Sequence, residues 1–245
     1  DDAVLLDLVA EYMESIHEEL CHAFDHSPTE RTLVEIFPTH EQFSLRITGK
    51  AWLGTVGAST GRLIAIAAPH RQRGGTFGQF NWAEVLRHEY THTVTLSATD
   101  NRIPHWLTEA LAVHQQSDRR GFEALRILVA AVRGGRLLPV EELDWGFIRP
   151  RRNGDRSLAY AQAQWMIEYI IATHGYDAVG QLLRGFRDGL SQPAVFRQVL
   201  ETDEPGFDGA FTQWAAGQVA LWGYDSSPAP ELVEAYRAVK NRPDD

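Results

Sequence analysis

The chain has a single cysteine, Cys21, among its 245 residues. No disulfide can close within it and no thiolate cluster can hold a metal, so any bound ion must be gripped by His, Asp or Glu. Apolar residues make up 44% of the sequence, but none of their runs approaches the roughly 20 residues that cross a bilayer. Positive charge is also in short supply: 23 Lys and Arg against 33 Asp and Glu give a formal net charge of -10. Nucleic-acid binders need a basic footprint to replace condensed counterions, which excludes that class of partner. The N-terminal stretch DDAVLLDLVAEYMES lacks the basic start and small-residue cleavage site of a signal peptide. The expectation is a soluble chain, with its compartment and its place in a longer protein left open.

What is present is enough apolar sequence for a substantial core. Leu5, Leu8, Val9, Tyr12, Ile16 and Leu20 recur at helical spacing and predict an amphipathic helix from Val4 to Phe24. RTLVEIFP (31–38) and RLIAIAAP (62–69) read as strands around a short helix, THEQFSLRI, with Thr39 as N-cap and Gln42 completing a capping box. From Asn81 onward the pattern is helical, with helices expected at about 82–97, 105–117, 121–133, 156–174, 177–188, 193–201 and 207–220. The loop RQRGGTFGQF lacks the spacing and lysine of a phosphate-binding P-loop. FIRPRRNGDRS (147–157) is the best internal boundary. The fold class predicted is α+β: a small mixed sheet with helices, then a mainly helical lobe. The expected layout is a helix over 1–27, a sheet-plus-helix lobe over 28–148, a helical lobe over 149–225, and a tail or the start of a further helical module over 226–245. The seven tryptophans are expected in packing between helices rather than in ligand stacking.

VLRHEYTHTV, Val85 to Val94, carries the chemistry. His88 and His92 stand one helical turn apart, so both imidazoles leave one face and can grip one ion. Asn81 followed by Glu84 is a capping-box-like start, and Val85, His88, His92 and Leu96 form one stripe that turns the histidines inward. An HExxH pattern also arises by chance, so context has to decide. Thr95 and Ala98 stand where a metzincin has its glycine and third histidine, which excludes that extension. Within PHWLTEALAVHQQ, Glu109 lies seventeen residues past His92 on an apolar helix, where an unpaired carboxylate is costly to desolvate and a metal removes that cost. A surface glutamate on the polar side of that helix is the other reading.

HEYTH at 88–92 followed by WLTEALA at 106–112 resembles the gluzincin arrangement of zinc metallopeptidases, and in particular the peptidase MA-like domains. The aminopeptidase N type family has a similar tryptophan-bearing ligand helix. SLAYAQAQWMIEYIIATHGYDAVGQLLRGFRDG (157–189) is similar to the helix pair that follows the metal helices in peptidase MA-like domains, and the likeness runs from about Arg31 to Trp214. Ala110 departs from the glycine common at that position.

The resemblance implies an active site between the two lobes, with one zinc ion held by His88, His92 and Glu109 and with Glu89 as general base and acid. It also offers Tyr160 as the donor to a developing oxyanion, packing alone being the other reading. His174 is a poorer candidate for that role, and His105 and His114 are expected beside the ligands or at the surface. RLIAIAAP would be the edge strand that aligns a peptide or protein substrate, or else an ordinary core strand. An aminopeptidase would need an acidic pocket for the substrate amine, for which Glu35, Glu41 and Asp100 qualify by position alone. The expected function is therefore a zinc metallopeptidase; the alternative is a zinc-containing binding or assembly module without catalysis. Oligomeric state is not legible.

Overall fold

The caps read above at Thr39 and Asn81 start two of the helices, and the helix that begins after Asn81 lies at the centre of the molecule. The computed structural model describes residues 5–68, 80–116, 121–223, 231, 232 and 234. Nearly all of the glycine-bearing loop at 71–80 and most of the segment expected after 225 lie outside the described residues. Helix α1 (Leu5–Phe24) buries Val9, Ile16, Leu20 and Phe24, while Leu8, expected on the same stripe, is exposed. Strand β1 (Leu33–Phe37) leads into α2 (His40–Thr48), whose N-cap Thr39 accepts the Gln42 N–H at 3.2 Å. Strands β2 (Gly57–Ser59) and β3 (Leu63–Ala67) follow.

The three strands form a mixed sheet in the order β1-β3-β2, with β1 parallel and β2 antiparallel to β3. This corrects the edge-strand reading of RLIAIAAP, because β3 is central. Its alternate side chains go to different cores: Ile64 and Ile66 join the main cluster with Leu86 and Val94, whereas Ala65 and Ala67 meet Phe43 of α2. A strand buried on both faces needs an almost continuous apolar run, which LIAIA supplies.

The rest of the described chain is helical: α3 (Trp82–Ala98), α4 (His105–Gln115), α5 (Phe122–Arg133), a 3-10 turn (Val140–Glu142), α6 (Leu143–Ile148), α7 (Asp155–His174), α8 (Asp177–Arg187), α9 (Gln192–Val199) and α10 (Glu204–Trp222). The fold is thus α+β and mainly helical, with a small mixed sheet. Helix α6 was not foreseen and enters the stretch read as a boundary loop. Helix α3 is enclosed on several sides, with α1, α4 and the sheet packed against it. From α1, Tyr12 meets Trp82 edge-on at 5.7 Å and His17 Nδ1 lies 2.6 Å from the Tyr90 hydroxyl. Farther along, Trp165 of α7 stacks on Trp222 at 5.1 Å and meets Phe211 and Trp214 of α10. One buried cluster is continuous from Val9 to Val219. Trp52 and Trp145 depart from the expected packing, being 59% and 50% exposed. No helix among the described residues is long and apolar enough to cross a membrane.

Candidate metal centre

Helix α3 starts where its cap predicts, with Asn81 Oδ1 accepting the Glu84 N–H at 3.5 Å. That start fixes the helical phase of everything after it. His88 and His92 face one another with ring centroids 4.8 Å apart and Nε2 atoms 3.2 Å apart. Helix α4 supplies the third group. Its N-terminus has Pro104 at the cap and no side-chain cap of its own, and Asp144 of α6 takes up that role by accepting the Trp106 N–H at 2.6 Å. The Trp106 indole N–H donates to Gln192 Oε1 at 2.7 Å, tying α4 to α9. With α4 anchored at this turn, Glu109 Oε2 lies 3.5 Å from His88 Nε2 and Oε1 lies 3.7 Å from His92 Nε2.

One ligand atom from each of His88, His92 and Glu109 falls within 4.8 Å of the others. Ligands about 2.0 to 2.2 Å from a tetrahedral ion stand roughly 3.3 to 3.6 Å apart, so the spacing suits zinc. The burial suits it too. Glu109 is 8% exposed and its Oε2 is buried without a hydrogen-bond partner, a costly state for a carboxylate that a cation relieves. The donor set of two imidazoles and one carboxylate is that of an open zinc site with room for a further ligand.

A chain of hydroxyls orients His92. Its Nδ1 is 2.8 Å from Thr108 Oγ1, which is 2.8 Å from Thr95 Oγ1, which donates to the Thr91 carbonyl at 2.9 Å. Because the last bond ends on a carbonyl, the direction is set: Thr95 donates there, accepts from Thr108, and leaves Thr108 to accept the His92 Nδ1–H. The proton of the imidazole therefore sits on Nδ1 and the lone pair on Nε2 points at Glu109 and His88. Thr95, which stands where a metzincin has its glycine, links Thr108 to the Thr91 carbonyl.

The protein's own charges, taken alone, prepare the group for a cation. Burial, with the neighbouring His88 adding, lowers His92 to about 4, so it is neutral near pH 7 as a ligand must be. Burial pulls His88 down, but Glu109 and Glu89 outweigh it and leave its pKa raised. For Glu109 burial acts upward and is overcome by His88, His92 and His105, which hold it below the usual carboxylate range. His105 is 3.7 Å from Glu109 Oε1 with a partly exposed side chain, a neighbour of the ligand as expected.

Glu89 and Tyr160 come together in one cavity of about 480 Å³, whose walls also carry His88, Val85, Val113 and Arg156. Burial pushes the Glu89 carboxyl up to about 7, with Glu109 adding and His88 opposing. Tyr160 is raised by burial first and then by the charge of Glu109, with Arg156 opposing, so its hydroxyl keeps its proton. Its ring stands edge-on to Phe147 at 4.8 Å, and Phe147 meets His105 on another side at 5.3 Å. A second cavity, about 460 Å³ and lined by Val113, Ala124, Ile127 and Ala161 among others, shares Tyr160 with the first.

Strand β2 closes the Glu89 side, in the place expected for RLIAIAAP. A Cβ on Gly57 would come 2.5 Å from Val85 Cγ1 and 2.8 Å from Glu89 Oε1, so only glycine lets the strand approach this closely. The other candidates lie elsewhere. Glu35 pairs with Arg46 and Asp100 with Arg102, each at 3.2 Å, Glu41 is exposed on α2, and His174 is exposed at the end of α7. The reading of the sequence passed over Thr108, Asp144, Phe147, Gly57 and Arg156. The signal for Asp144 was present: a helix starting at Pro104 with no capping side chain must borrow an acceptor.

A family model of the peptidase MA superfamily matches residues 42–217, a span that includes α3, α4 and the start of α7. No curated protein and no solved structure matches. With the match covering most of its length, the chain belongs to the peptidase MA superfamily.

Proposed function

We propose that the chain is a zinc metallopeptidase that hydrolyses peptide bonds, with His88, His92 and Glu109 as the metal ligands, Glu89 as general base and acid, and Tyr160 as oxyanion donor. The observation that carries this reading is the buried Glu109 carboxylate, whose Oε2 has no hydrogen-bond partner and whose two oxygens lie beside the imidazoles of His88 and His92, with Glu89, next to His88 in the chain, lining a cavity. Zinc held there would act as a Lewis acid and bring the pKa of water to about 7.

The chain's own groups then have distinct tasks. The hydroxyl chain through Thr108 holds His92 Nε2 toward the ion. Glu89, which lines the cavity beside His88, can take a proton from the attacking water and return it to the leaving nitrogen. Tyr160, protonated throughout the ordinary pH range, can donate its O–H to the carbonyl oxygen as that oxygen gains charge. Strand β2 pairs only with β3 among the described residues, and its outer edge beside Glu89 is suited to align an extended peptide by main-chain hydrogen bonds. The cavity beyond Tyr160, with several apolar residues in its wall, would take a side chain.

The test is metal analysis of the purified protein joined to digestion of a quenched-fluorescence peptide library. Glu89→Gln is expected to keep its zinc and lose cleavage, since the amide cannot carry the proton. Unchanged cleavage by that variant rejects Glu89 as the base. Stoichiometric zinc with no cleavage by the wild-type chain favours a binding module instead.

A further inference from the structure

The cavity that contains Glu89 and Tyr160 carries one cationic side chain that the mechanism above leaves without a task. Arg156 lies in the first turn of α7, four residues before Tyr160, so the two side chains share one helix face. Its Nε–H donates to the Phe147 carbonyl at 3.1 Å, which steadies the base of the guanidinium and leaves the four N–H donors of the two terminal nitrogens. Among the described residues no carboxylate forms an ion pair with it. The charged or ionisable groups opposite are Glu89 and His88 of α3, and the other described lining residues, Leu53, Val85 and Val113 among them, are neutral, the protonated Tyr160 phenol included.

This arrangement disfavours a free amine in the cavity. A substrate ammonium would face Arg156, and among the described residues the carboxylate on the wall is the base itself. Glu35, Glu41 and Asp100 do not line this cavity. A carboxylate finds in the same cavity a guanidinium with its fork of donors open, beside the apolar side chains of Leu53, Val56, Val85 and Val113.

We propose that Arg156 binds a carboxylate of the substrate, so that the cleft selects peptides with an anionic group close to the bond presented to Glu89. The inference rests on the peptidase reading for its setting. The carboxylate can be the C-terminus of the peptide or an Asp or Glu side chain, and both offer the same planar pair of oxygens.

The experiment reads binding, by calorimetry, on the full zinc-loaded chain carrying Glu89→Gln, with short N-acetylated peptides in matched pairs. One pair differs only in a free or amidated C-terminus; the others are C-terminally amidated and exchange Asp for Asn or Glu for Gln. In at least one pair the carboxylate is expected to bind about ten- to a hundredfold more tightly than its neutral partner. That ratio should fall toward one when Arg156→Gln is added and stay between the two with Arg156→Lys, which keeps the charge but not the fork. Whichever pair responds identifies the source of the carboxylate. Equal or undetectable binding within every pair overturns the proposal, as does a preference that survives Arg156→Gln in a variant with wild-type zinc content and Tm. Because binding is measured without the base, a wild-type chain that cleaves nothing rejects the peptidase reading alone, and equal binding within pairs rejects the carboxylate site alone.

Discussion

Replacing Thr108 by Val is expected to weaken zinc binding about ten- to a hundredfold while leaving the fold in place. The change keeps the branched shape of the side chain and removes one oxygen. That oxygen accepts the Nδ1–H of His92 at 2.8 Å, and His92 is only 8% exposed, so water cannot readily replace it. An unsatisfied buried donor costs roughly 1–3 kcal/mol, which is about 5- to 150-fold in an equilibrium constant. The metal-free variant reduces this cost by moving the imidazole proton to Nε2, toward Glu109 Oε1 at 3.7 Å, which exchanges an unsatisfied N–H at Nδ1 for a bare lone pair. Zinc binding forces the proton back to Nδ1, so the penalty falls on the bound state and is read as lost affinity. Thr95 still donates to the Thr91 carbonyl at 2.9 Å in the variant, so no second orphan is created. Competition against a fluorescent zinc chelator gives the affinity, and long-range proton–nitrogen NMR spectra give the tautomer of His92. Thr108→Ser keeps the hydroxyl and is expected to bind zinc nearly as the wild type does. Wild-type affinity in Thr108→Val, or equal losses in the Ser and Val variants, would refute the tautomer argument.

Tyr160→Phe should lower kcat by about 10²- to 10³-fold without changing zinc stoichiometry, as expected for losing an oxyanion donor; turnover within twofold of wild type reduces Tyr160 to its packing on Phe147. Gly57→Ala places a methyl group against Val85 and Glu89 and is expected to cost roughly 1–3 kcal/mol in urea unfolding, with loss of cleavage beyond the loss of stability. Equal unfolding midpoints would mean that β2 yields without strain. Asp208→Asn tests a charge away from the site. Burial pushes the Asp208 carboxyl up to about 6 against the opposing Val140 N–H, with Glu141 and Glu204 adding, so the native state binds more protons than the unfolded chain between about pH 4 and 6 and loses stability as pH rises through that window. Because the side chain is only partly buried, solvent screening reduces the effect to roughly 1 kcal/mol. The Asn variant, which can still accept the Val140 N–H, should have the higher Tm at pH 7.5 and no advantage at pH 4. A gain that is the same at both pH values would point away from Asp208 ionisation.

Two of the three groups at the candidate metal centre could be read from the sequence because they are local. His88 and His92 are one turn apart on a helix whose start is announced by Asn81, so their shared face follows from helical geometry alone. Glu109 could be placed next to them only through an energetic argument, a carboxylate on an apolar helix, together with the resemblance. The groups that make the site rigid were not legible, since each depends on a contact distant in sequence. Asp144 reaches Trp106 across 38 residues, and Thr108 reaches His92 across 16. Neither distance follows from periodicity.

Strand β2 and helix α6 were missed for opposite reasons. Strand β2 is three residues, Gly-Ala-Ser, with no apolar alternation to detect; its identity comes from pairing with β3, and the near-continuous apolar run of LIAIA was itself the mark of a central strand rather than an edge. Helix α6 is six residues long and carries Gly146 in its interior, where glycine weakens a helical signal. In the fold that glycine permits contact: a Cβ there would come 2.9 Å from Ala159 Cβ and 3.0 Å from Leu138, so α6 can lie directly on α7 only because the position is bare. The approach has consequences at the cleft, because the same short helix supplies Asp144 to the start of α4, Phe147 to the ring of Tyr160 and the Phe147 carbonyl to Arg156. A glycine that lowers local helix propensity by about 1 kcal/mol relative to alanine thereby permits the packing that anchors α4, Tyr160 and Arg156 around the cleft.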